Sequence, residues 1–447
     1  MKLARTACAL TLALLSGCSG HADKTLAVRT ALDAGDPRGA LKAINEVLEV
    51  DNEKQLPVKT GGDNSLLLLD RAMVLQELEQ YQLSSRDLEI SDKQIEVLDL
   101  SANAAADIGR YLFSDDVGPY KAPAYEKLMI NTMNMMNYLV RGDLNGARVE
   151  ARRLAVMQKF TKDKGDAAEA LLGPGSYLAG FVFEKSGKPE DALRYYDEAL
   201  SYGQYQSLAE PLRRLSQQGG YSSPRIRDLL AKAPAPAPGA EAPKDDDGEL
   251  LVIVNFGRVP SKYAKRLPIG LALTYASGAL SPMDQGRAND LALQGLVTWV
   301  NYPELGNAHG SYGQPTFKLD GQWAPMEGIL AVDQETKRAW EKARGAVIAS
   351  AITRTITRVV AGETTKKIAG GGVLGELLSL GTQATLTATD TPDTRNWATL
   401  PARIAFGRMR VHAGTHNIAL TAAGGRKHQT ITMAPNGWAV VNLTALN

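Results

Sequence analysis

Apolar residues recur at the three- and four-residue spacing of amphipathic helices through the first half of the chain. This spacing predicts helices within 25–50, 66–98, 131–158 and 176–203. The last of these is the clearest, because its pattern predicts one helix over 177–185, a turn at 186–188 and a second helix over 189–202. Pro189 suits the first helical position, where its missing N–H is not needed. The pattern therefore predicts antiparallel helical hairpins, which begin after a short tether over residues 19–23.

Beyond residue 248 the pattern changes to the short apolar runs and the alternation that are typical of strands. Strands are predicted at 250–256, 269–275, 296–301, 402–411, 417–421, 429–433 and 438–443. A long helix is predicted over 334–361, with a second helical segment over 365–388. Pro435, Asn436 and Gly437 predict a hairpin turn between the last two strands, since Asn-Gly tolerates positive φ.

Alternating proline and alanine followed by an acidic run separate the two patterns at residues 233–248. Such a segment is extended and solvated, which is typical of a linker. The sequence therefore predicts a multidomain α+β chain: a signal peptide at 1–17, an all-α domain at 18–232, the linker, and a β-rich α+β module with a helical insertion at 249–447.

The N-terminus has a basic start, with Lys2 and Arg5, and an uncharged apolar run over 6–15. A run of roughly ten residues is too short for a transmembrane helix, which needs about 20, and has the layout of a secretory signal. The run ends in Leu15-Ser16-Gly17-Cys18, which resembles the lipobox of bacterial lipoproteins. That resemblance implies cleavage before Cys18, a diacylglycerol on its sulfur and acylation of its amine. The residue after the cysteine, Ser19, favours sorting to the outer membrane.

Composition excludes some classes of function. The 447 residues include 50 basic and 49 acidic side chains, and removal of the signal peptide leaves 48 against 49. A near-neutral chain is not expected to bind nucleic acid. Cys8 is lost with the signal and Cys18 is acylated, so no disulfide is expected. No later run is long enough to predict a transmembrane helix.

Two motifs with possible chemistry have the wrong context. Gly370, Gly372 and Gly375 match G-x-G-x-x-G, but a polar helical segment precedes them where a dinucleotide site needs a strand. His412 and His416 have metal-like spacing, but Ala-Gly between them predicts a turn, and no third ligand is placed. We therefore expect no catalytic residue, no metal and no cofactor.

Two polar clusters allow alternative interpretations. Asp390, Asp393, Arg395 and Trp397 form either a capped loop or the lip of a ligand site. The segment 148–153 is either a solvated, internally paired helix face or an anion-binding face, through Arg148, Arg152 and Arg153.

The hairpin at 176–203 resembles a tetratricopeptide repeat, a helix–turn–helix unit of about 34 residues. Its signature positions are held by Gly180, Phe183, Gly187, Ala192, Tyr196 and Ala199. Small residues there let two helices approach, and aromatic residues fill the gaps. Part of the same frame recurs at Tyr138, Gly142 and Ala147.

Most of the mature chain, together with the lipobox, resembles a family of uncharacterised bacterial lipoproteins with tetratricopeptide-like N-terminal halves. The segments that carry this resemblance are the lipobox, 125–128, 137–139, 142–143, 147–153, 393–397, 400–401 and 408–416. Some members are encoded near an outer-membrane activator of a peptidoglycan synthase, which favours a role in envelope assembly.

These observations predict a non-enzymatic lipoprotein of the outer membrane that faces the periplasm. Its membrane contact would be the lipid on Cys18, and its helical repeats would bind an envelope protein whose identity the sequence does not give. The alternative is an envelope enzyme or carbohydrate-binding module in residues 249–447. That alternative requires Asp390, Asp393, Arg395, His412 and His416 to converge in one pocket.

Overall fold

The computed structural model describes residues 20–97, 120–164, 169–233, 246–276, 278–293, 299–310, 313–368 and 392–447. Helices fill the N-terminal half and β-sheets the C-terminal region, so the predicted mixed α+β class is confirmed. Cys18, the glycine motif at 370–375, Asp390 and most of the 233–248 linker lie outside the described residues.

The helices of the first half pack in consecutive pairs. They are α1 His21–Lys24, α2 Leu26–Asp33, α3 Pro37–Val47, α4 Asp63–Glu77, α5 Tyr81–Gln94, α6 Ala124–Val140, α7 Leu144–Lys164, α8 Leu172–Lys185, α9 Pro189–Tyr202, α10 Ala209–Leu215 and α11 Pro224–Lys232. Two short strands, β1 Glu96–Val97 and β2 Lys121–Ala122, pair in parallel between α5 and α6.

Four of these helix pairs share one turn. Two residues after the first helix of each pair ends, a residue has positive φ: Gly35 (70°), Glu79 (60°), Gly142 (72°) and Gly187 (67°). At the first turn, the N–H of Gly35 bonds the carbonyl of Leu32, and the N–H of Asp36 bonds that of Ala31, both at 2.9 Å. The equivalent pair of bonds closes the other three turns. This is the Schellman arrangement, which satisfies the last carbonyls of a helix and reverses the chain.

The small and large residues noted in the sequence do meet. A Cβ on Gly180 of α8 would overlap the ring of Tyr196 on α9, so the absence of a side chain allows this close approach. At α6 and α7 the equivalent contact joins Tyr138 to Gly146, while Gly142 forms the turn.

The C-terminal strands form two four-stranded sheets and a separate two-stranded antiparallel sheet. They are β3 Gly248–Phe256, β4 Lys262–Pro268, β5 Trp299–Leu305, β6 Thr316–Leu319, β7 Gln322–Ala324, β8 Glu327–Ala331, β9 Arg403–Val411, β10 Gly414–Ala422, β11 Gly425–Met433 and β12 Trp438–Ala445. One sheet has the order β12-β3-β9-β8 and the other β11-β10-β6-β7, while β4 pairs with β5.

The predicted hairpin between the last two strands is wrong. Asn436 does adopt positive φ, at 54°, but β11 and β12 belong to different sheets. The strand β12 pairs in parallel with β3, and β11 pairs with β10. The Asn-Gly turn therefore passes the chain from one sheet to the other, because β11 pairs with β10, the strand before it, whereas β12 pairs with the distant strand β3.

The segment 269–275, predicted as a strand, is the helix α12 Ile269–Tyr275. Ile269 and Ala272 are buried at helical spacing. A seven-residue apolar run does not distinguish helix from strand, and here packing decides it. The helices α13 Pro282–Leu293 and α14 Val332–Ile368 complete this region, and α14 contains the predicted long helix.

A satellite core lies between α12, α13, α14 and the two-stranded β4–β5 sheet. The carboxylate of Glu304 joins β5 to α14 through hydrogen bonds. It accepts hydrogen bonds from Tyr302 Oη (2.9 Å), Trp340 Nε1 (3.1 Å) and Arg344 Nη2 (2.9 Å). Burial alone would raise the pKa of Glu304, but these donors hold it below its usual value.

The strand β3 is buried on both faces, which explains its continuous apolar run. Leu251 and Ile253 belong to the cluster shared with the helices, whereas Leu250 and Val252 face the second sheet. The helix-facing cluster runs from Val28 to Leu446. The main body is therefore three layers: helices, the β12-β3-β9-β8 sheet and the β11-β10-β6-β7 sheet.

Candidate functional site at the N-terminal helix

The first described residues are docked onto the body of the protein. The carbonyl of Gly20 accepts hydrogen bonds from the N–H groups of Asp23 (3.0 Å) and Lys24 (3.1 Å). His21 and Thr25 are each 2% exposed. The expected tether over 19–23 is therefore wrong for its described part, because residues 20–23 form the capped start of α1.

The backbone of Ala22 is bonded by one distant residue and by one on the next helix. Its N–H donates to Thr394 Oγ1 at 3.4 Å, and its carbonyl accepts from Arg29 Nη2 at 2.7 Å. The segment that begins two residues after Cys18 thus contacts residues more than 370 positions further along the chain. Several buried polar side chains lie around α1 and residues 393–399, and we call this group the anchor seat. Its members are His21, Asp70, Tyr120, Glu126, Lys262, Asp393 and Arg395.

Asp70 of α4 forms one side of the anchor seat. Its Oδ1 accepts from the N–H (3.1 Å) and Oγ1 (2.8 Å) of Thr399. Its Oδ2 lies 3.7 Å from Nε2 of His21, and both side chains are 2% exposed. When His21 is protonated, this contact is a buried ion pair that ties α1 to α4.

Glu126 of α6 is a second buried carboxylate in the anchor seat. Its Oε2 accepts from Tyr120 Oη at 2.5 Å, and its Oε1 from the N–H of Trp397 at 3.2 Å. Burial raises the pKa of Glu126, while these bonds and the nearby Lys262 oppose the rise. Burial also lowers the pKa of Lys262, whose Nζ donates to the carbonyl of Arg395 at 3.0 Å.

The Asp393–Arg395 cluster is part of the anchor seat. Arg395 is 2% exposed and donates to Asp393 Oδ2 at 2.8 Å and to Asp63 Oδ1 at 2.9 Å. Burial alone would lower the pKa of Arg395, but these carboxylates raise it above its usual value. Trp397 is fully buried in the core. The described part of this cluster is thus an internal junction, as in the capped-loop interpretation.

The two histidines with metal-like spacing each face a carboxylate. His412 Nδ1 lies 2.5 Å from Asp247 Oδ1, and His416 Nδ1 lies 2.7 Å from Asp320 Oδ2. His416 Nε2 lies 2.8 Å from the carbonyl of His412, across the predicted turn between β9 and β10. Burial opposes protonation, but Asp320 raises the pKa of His416. Within the described ranges no group of three His, Cys, Asp or Glu side chains could hold a metal.

The convergence required by the enzyme alternative is not seen for its four described residues. Arg395 bonds Lys262, which lies five residues after Gly257, and the carbonyl of Gly257 accepts from Ala402 just before β9. His412 directly follows the other end of β9. Nine residues of strand span roughly 30 Å at about 3.3 Å each. Asp393 and Arg395 are therefore far from His412 and His416.

The basic segment 148–153 is internally paired in part. Glu150 is 2% exposed and accepts from Asn131 Nδ2 (2.9 Å), Asn134 Nδ2 (3.2 Å) and Arg153 Nη1 (3.1 Å). Arg148 bonds Asn145, and Arg152 is exposed.

Sequence reasoning missed His21, Asp70, Tyr120, Glu126 and Lys262. Each is an ordinary polar residue inside a helical or loop pattern, so no local signal marks it. A buried position for Asp70 could have been suspected from the apolar runs 66–69 and 72–75 on both sides of it.

No helix in the part of the chain that the structure describes is long and apolar enough to cross a membrane. No family model matches this chain, and no curated protein is significantly similar to it.

Proposed function

We propose that this chain is a lipoprotein of the bacterial outer membrane, anchored through lipid on Cys18 and facing the periplasm. Its role would be to bind another envelope protein, in envelope or peptidoglycan assembly, without a reaction of its own. The observation that carries this proposal is the lipobox at 15–18, followed within two residues by a helix docked on the body.

We further propose that the N-terminal half is a divergent tetratricopeptide-like array. The shared turn at four successive helix pairs supports this, as does the contact between Gly180 and Tyr196. The repeats differ in length and in their turn residue, as with Glu79, which would explain why the sequence frame is partial.

The surface for the protein partner would be the outward side of the array. The inner side is covered by the chain's own sheet: the ring of Tyr177 on α8 stacks on Phe406 of β9, with centroids 4.5 Å apart. On α7, Val149 (46% exposed), Arg152 and Val156 (70% exposed) share one helical face. Exposed aliphatic groups beside a cation suit a partner helix with apolar and acidic residues.

Membrane attachment is tested with Cys18→Ala. We expect the variant to leave the membrane fraction and to lack the mass of the acyl chains. A Ser19→Ala variant, which keeps the thiol, should stay in the membrane. A Cys18→Ala protein that remains membrane-bound with unchanged mass would refute the proposed anchor.

Partner binding is tested by crosslinking the intact protein in its native envelope. The double variant Arg152→Glu, Val156→Asp should lose a crosslinked product that the parent forms, whereas Lys188→Glu, at an exposed turn, should keep it. If the parent, the double variant and Lys188→Glu crosslink equally, α7 is not part of the interface.

A second candidate function, carbohydrate binding by the C-terminal region, is favoured by one surface. Trp323 on the edge strand β7 is 69% exposed, and Lys318 Nζ lies 4.3 Å from its ring centroid. A shallow cavity of about 430 Å³ on the same sheet is lined by Lys318, Asn417, His428 and Gln429, among others. An exposed indole beside amide and hydroxyl groups is suited to the apolar face and the hydroxyls of a sugar.

Titration with soluble peptidoglycan fragments tests this second candidate. Saturable binding by the parent and its loss in Trp323→Ala would support it, with Trp299→Ala as the control on a different exposed indole. Equal binding, or none, by the parent and Trp323→Ala would exclude this surface.

A further inference from the structure

Exposed aliphatic side chains lie beside the anchor seat. Leu26 is 57% exposed, Leu56 40% and Val58 104%, so Val58 projects fully from its loop. Exposed aliphatic groups of this kind are typical of a surface that contacts a membrane or another protein.

Contacts with α4 place Lys24, two residues before Leu26, on the same side of the protein as the loop that carries Leu56, Val58 and Lys59. Lys24 Nζ lies 3.7 Å from Asp63 Oδ2, at the first residue of α4. Asn64, the next residue, donates from Nδ2 to the carbonyl of Lys59 at 2.8 Å. The α1 helix and the loop that carries Val58 therefore both lie beside the N-terminus of α4.

The loop is held in shape by the body. Arg71 Nη2 donates to the carbonyl of Gln55 at 3.1 Å, and Arg86 Nη1 to that of Lys54 at 2.9 Å. Pro57, between Leu56 and Val58, is buried. The exposure of Val58 is thus fixed by its neighbours on both sides.

Covalent geometry limits the distance between this surface and Cys18. Gly20, whose carbonyl is fixed by α1, lies two residues after Cys18. Two residues span at most roughly 7 Å. If Cys18 carries lipid, this short span holds the folded body directly against the bilayer surface.

We propose that the surface formed by Lys24, Leu26, Leu56, Val58 and Lys59, the anchor-side surface, rests on the lipid bilayer and fixes the orientation of the whole protein. This rests on the proposed lipid attachment at Cys18. The aliphatic side chains enter the boundary between headgroups and acyl chains, and the two lysines face lipid phosphates. The other end of the helical array, at α11, then points away from the membrane.

Site-specific labelling tests the orientation, because the mature chain has no cysteine besides Cys18. Full-length lipidated Val58→Cys and Leu26→Cys proteins are labelled with an environment-sensitive dye and bound to phosphatidylethanolamine–phosphatidylglycerol vesicles. We expect doxyl-labelled lipid to quench both dyes several-fold more strongly than aqueous iodide does. Ser222→Cys, exposed just before α11, is the matched control and should show the opposite preference.

A longer tether separates orientation from attachment. Twenty Gly/Ser residues inserted between Ser19 and Gly20 have a mean reach of roughly 25 Å. The extended protein should stay on vesicles but lose most of the lipid quenching at Val58→Cys. Equal lipid quenching at Val58→Cys and Ser222→Cys, in a protein that binds vesicles, would overturn the orientation alone. A protein that does not bind vesicles would overturn the lipid anchor and the orientation together.

Discussion

At the scale of single residues, burial of charge is concentrated where the helices meet the sheet. Glu77, at the end of α4, accepts one bond from the N–H of Leu446 at 3.3 Å, and its Oε2 has no hydrogen-bond partner among the described residues. The guanidinium of Arg258 is fully buried and bonds Asp33, while its Nε and Nη1 are without such partners. Unpaired buried groups of this kind cost stability.

Burial raises the pKa of Glu77 from 4.5 to about 7. Between these values the folded state binds more protons than the unfolded state, so the free energy of unfolding falls as pH rises. Glu77→Gln removes this loss and keeps an acceptor for Leu446. We expect the variant to gain stability over the parent between pH 4.5 and pH 8, by up to about 3 kcal/mol.

Urea denaturation of both proteins at pH 4.5 and pH 8 measures that gain. Glu46→Gln is the control, because its carboxylate is 68% exposed and lies 3.9 Å from the exposed Lys42. Its effect should stay within about 0.5 kcal/mol at either pH. A Glu77→Gln difference that does not change with pH would contradict the prediction.

At the scale of elements, one kind of helix pair recurs with different residues. The turn requires positive φ, which three pairs meet with glycine and the fourth with Glu79. The close approach of α8 and α9 requires the missing side chain of Gly180 against Tyr196. Backbone conformation and packing thus impose separate requirements on the same hairpin.

Gly180→Ala tests the packing requirement. The added methyl would overlap the Tyr196 ring inside a full core, so we expect a loss of about 1–3 kcal/mol in spite of the better helix propensity of alanine. Gly286→Ala in α13 is the matched control, since nothing lies within 4 Å of its Cβ position. There alanine should stabilise by up to about 1 kcal/mol. Thermal unfolding of both variants distinguishes the outcomes, and equal effects would show that the contact does not limit α8.

At the scale of the whole molecule, Arg408 on β9 joins the helices to the sheet. Its Nη2 donates to Glu184 on α8 at 2.7 Å, its Nε to Glu249 on β3 at 2.5 Å, and its Nη1 to Tyr196 on α9 at 2.8 Å. Burial alone would lower the pKa of Arg408, but the two carboxylates raise it well above its usual value. This network lies at the edge of the apolar cluster that the two halves share.

Arg408→Ala should destabilise the whole body by about 3–5 kcal/mol, because it breaks a buried network and leaves the carboxylates of Glu184 and Glu249 to the more exposed Lys185 and Arg214. Arg194→Ala, which removes a surface pair with Glu190, should cost at most about 0.5 kcal/mol. Helix content from circular dichroism and tryptophan fluorescence, which includes Trp438 on the sheet, should decrease in one shared transition. Separate transitions would mean that the helices and the sheet are stable without each other.

The sequence by itself determined the local elements. Periodicity placed the helix pairs, the long helix α14 and the strands β3, β9, β10, β11 and β12, because spacing reports which face of an element is apolar. The sequence also contains the segment 15–18, which resembles a lipobox. That resemblance depends on the identity of four residues and not on the fold. The length of 269–275 was too short for periodicity to separate helix from strand.

The tertiary structure alone decided which elements meet. At Asn436 the chain crosses from one sheet to the other, and the β12-β3-β9-β8 sheet packs against the helices. Residues 393–399 contact the N-terminal helix. Local pattern shows that a face is apolar but not which distant face will cover it. That choice depends on burial and on paired polar groups summed over the whole molecule, such as Asp70 with Thr399, and no single stretch of sequence contains that sum.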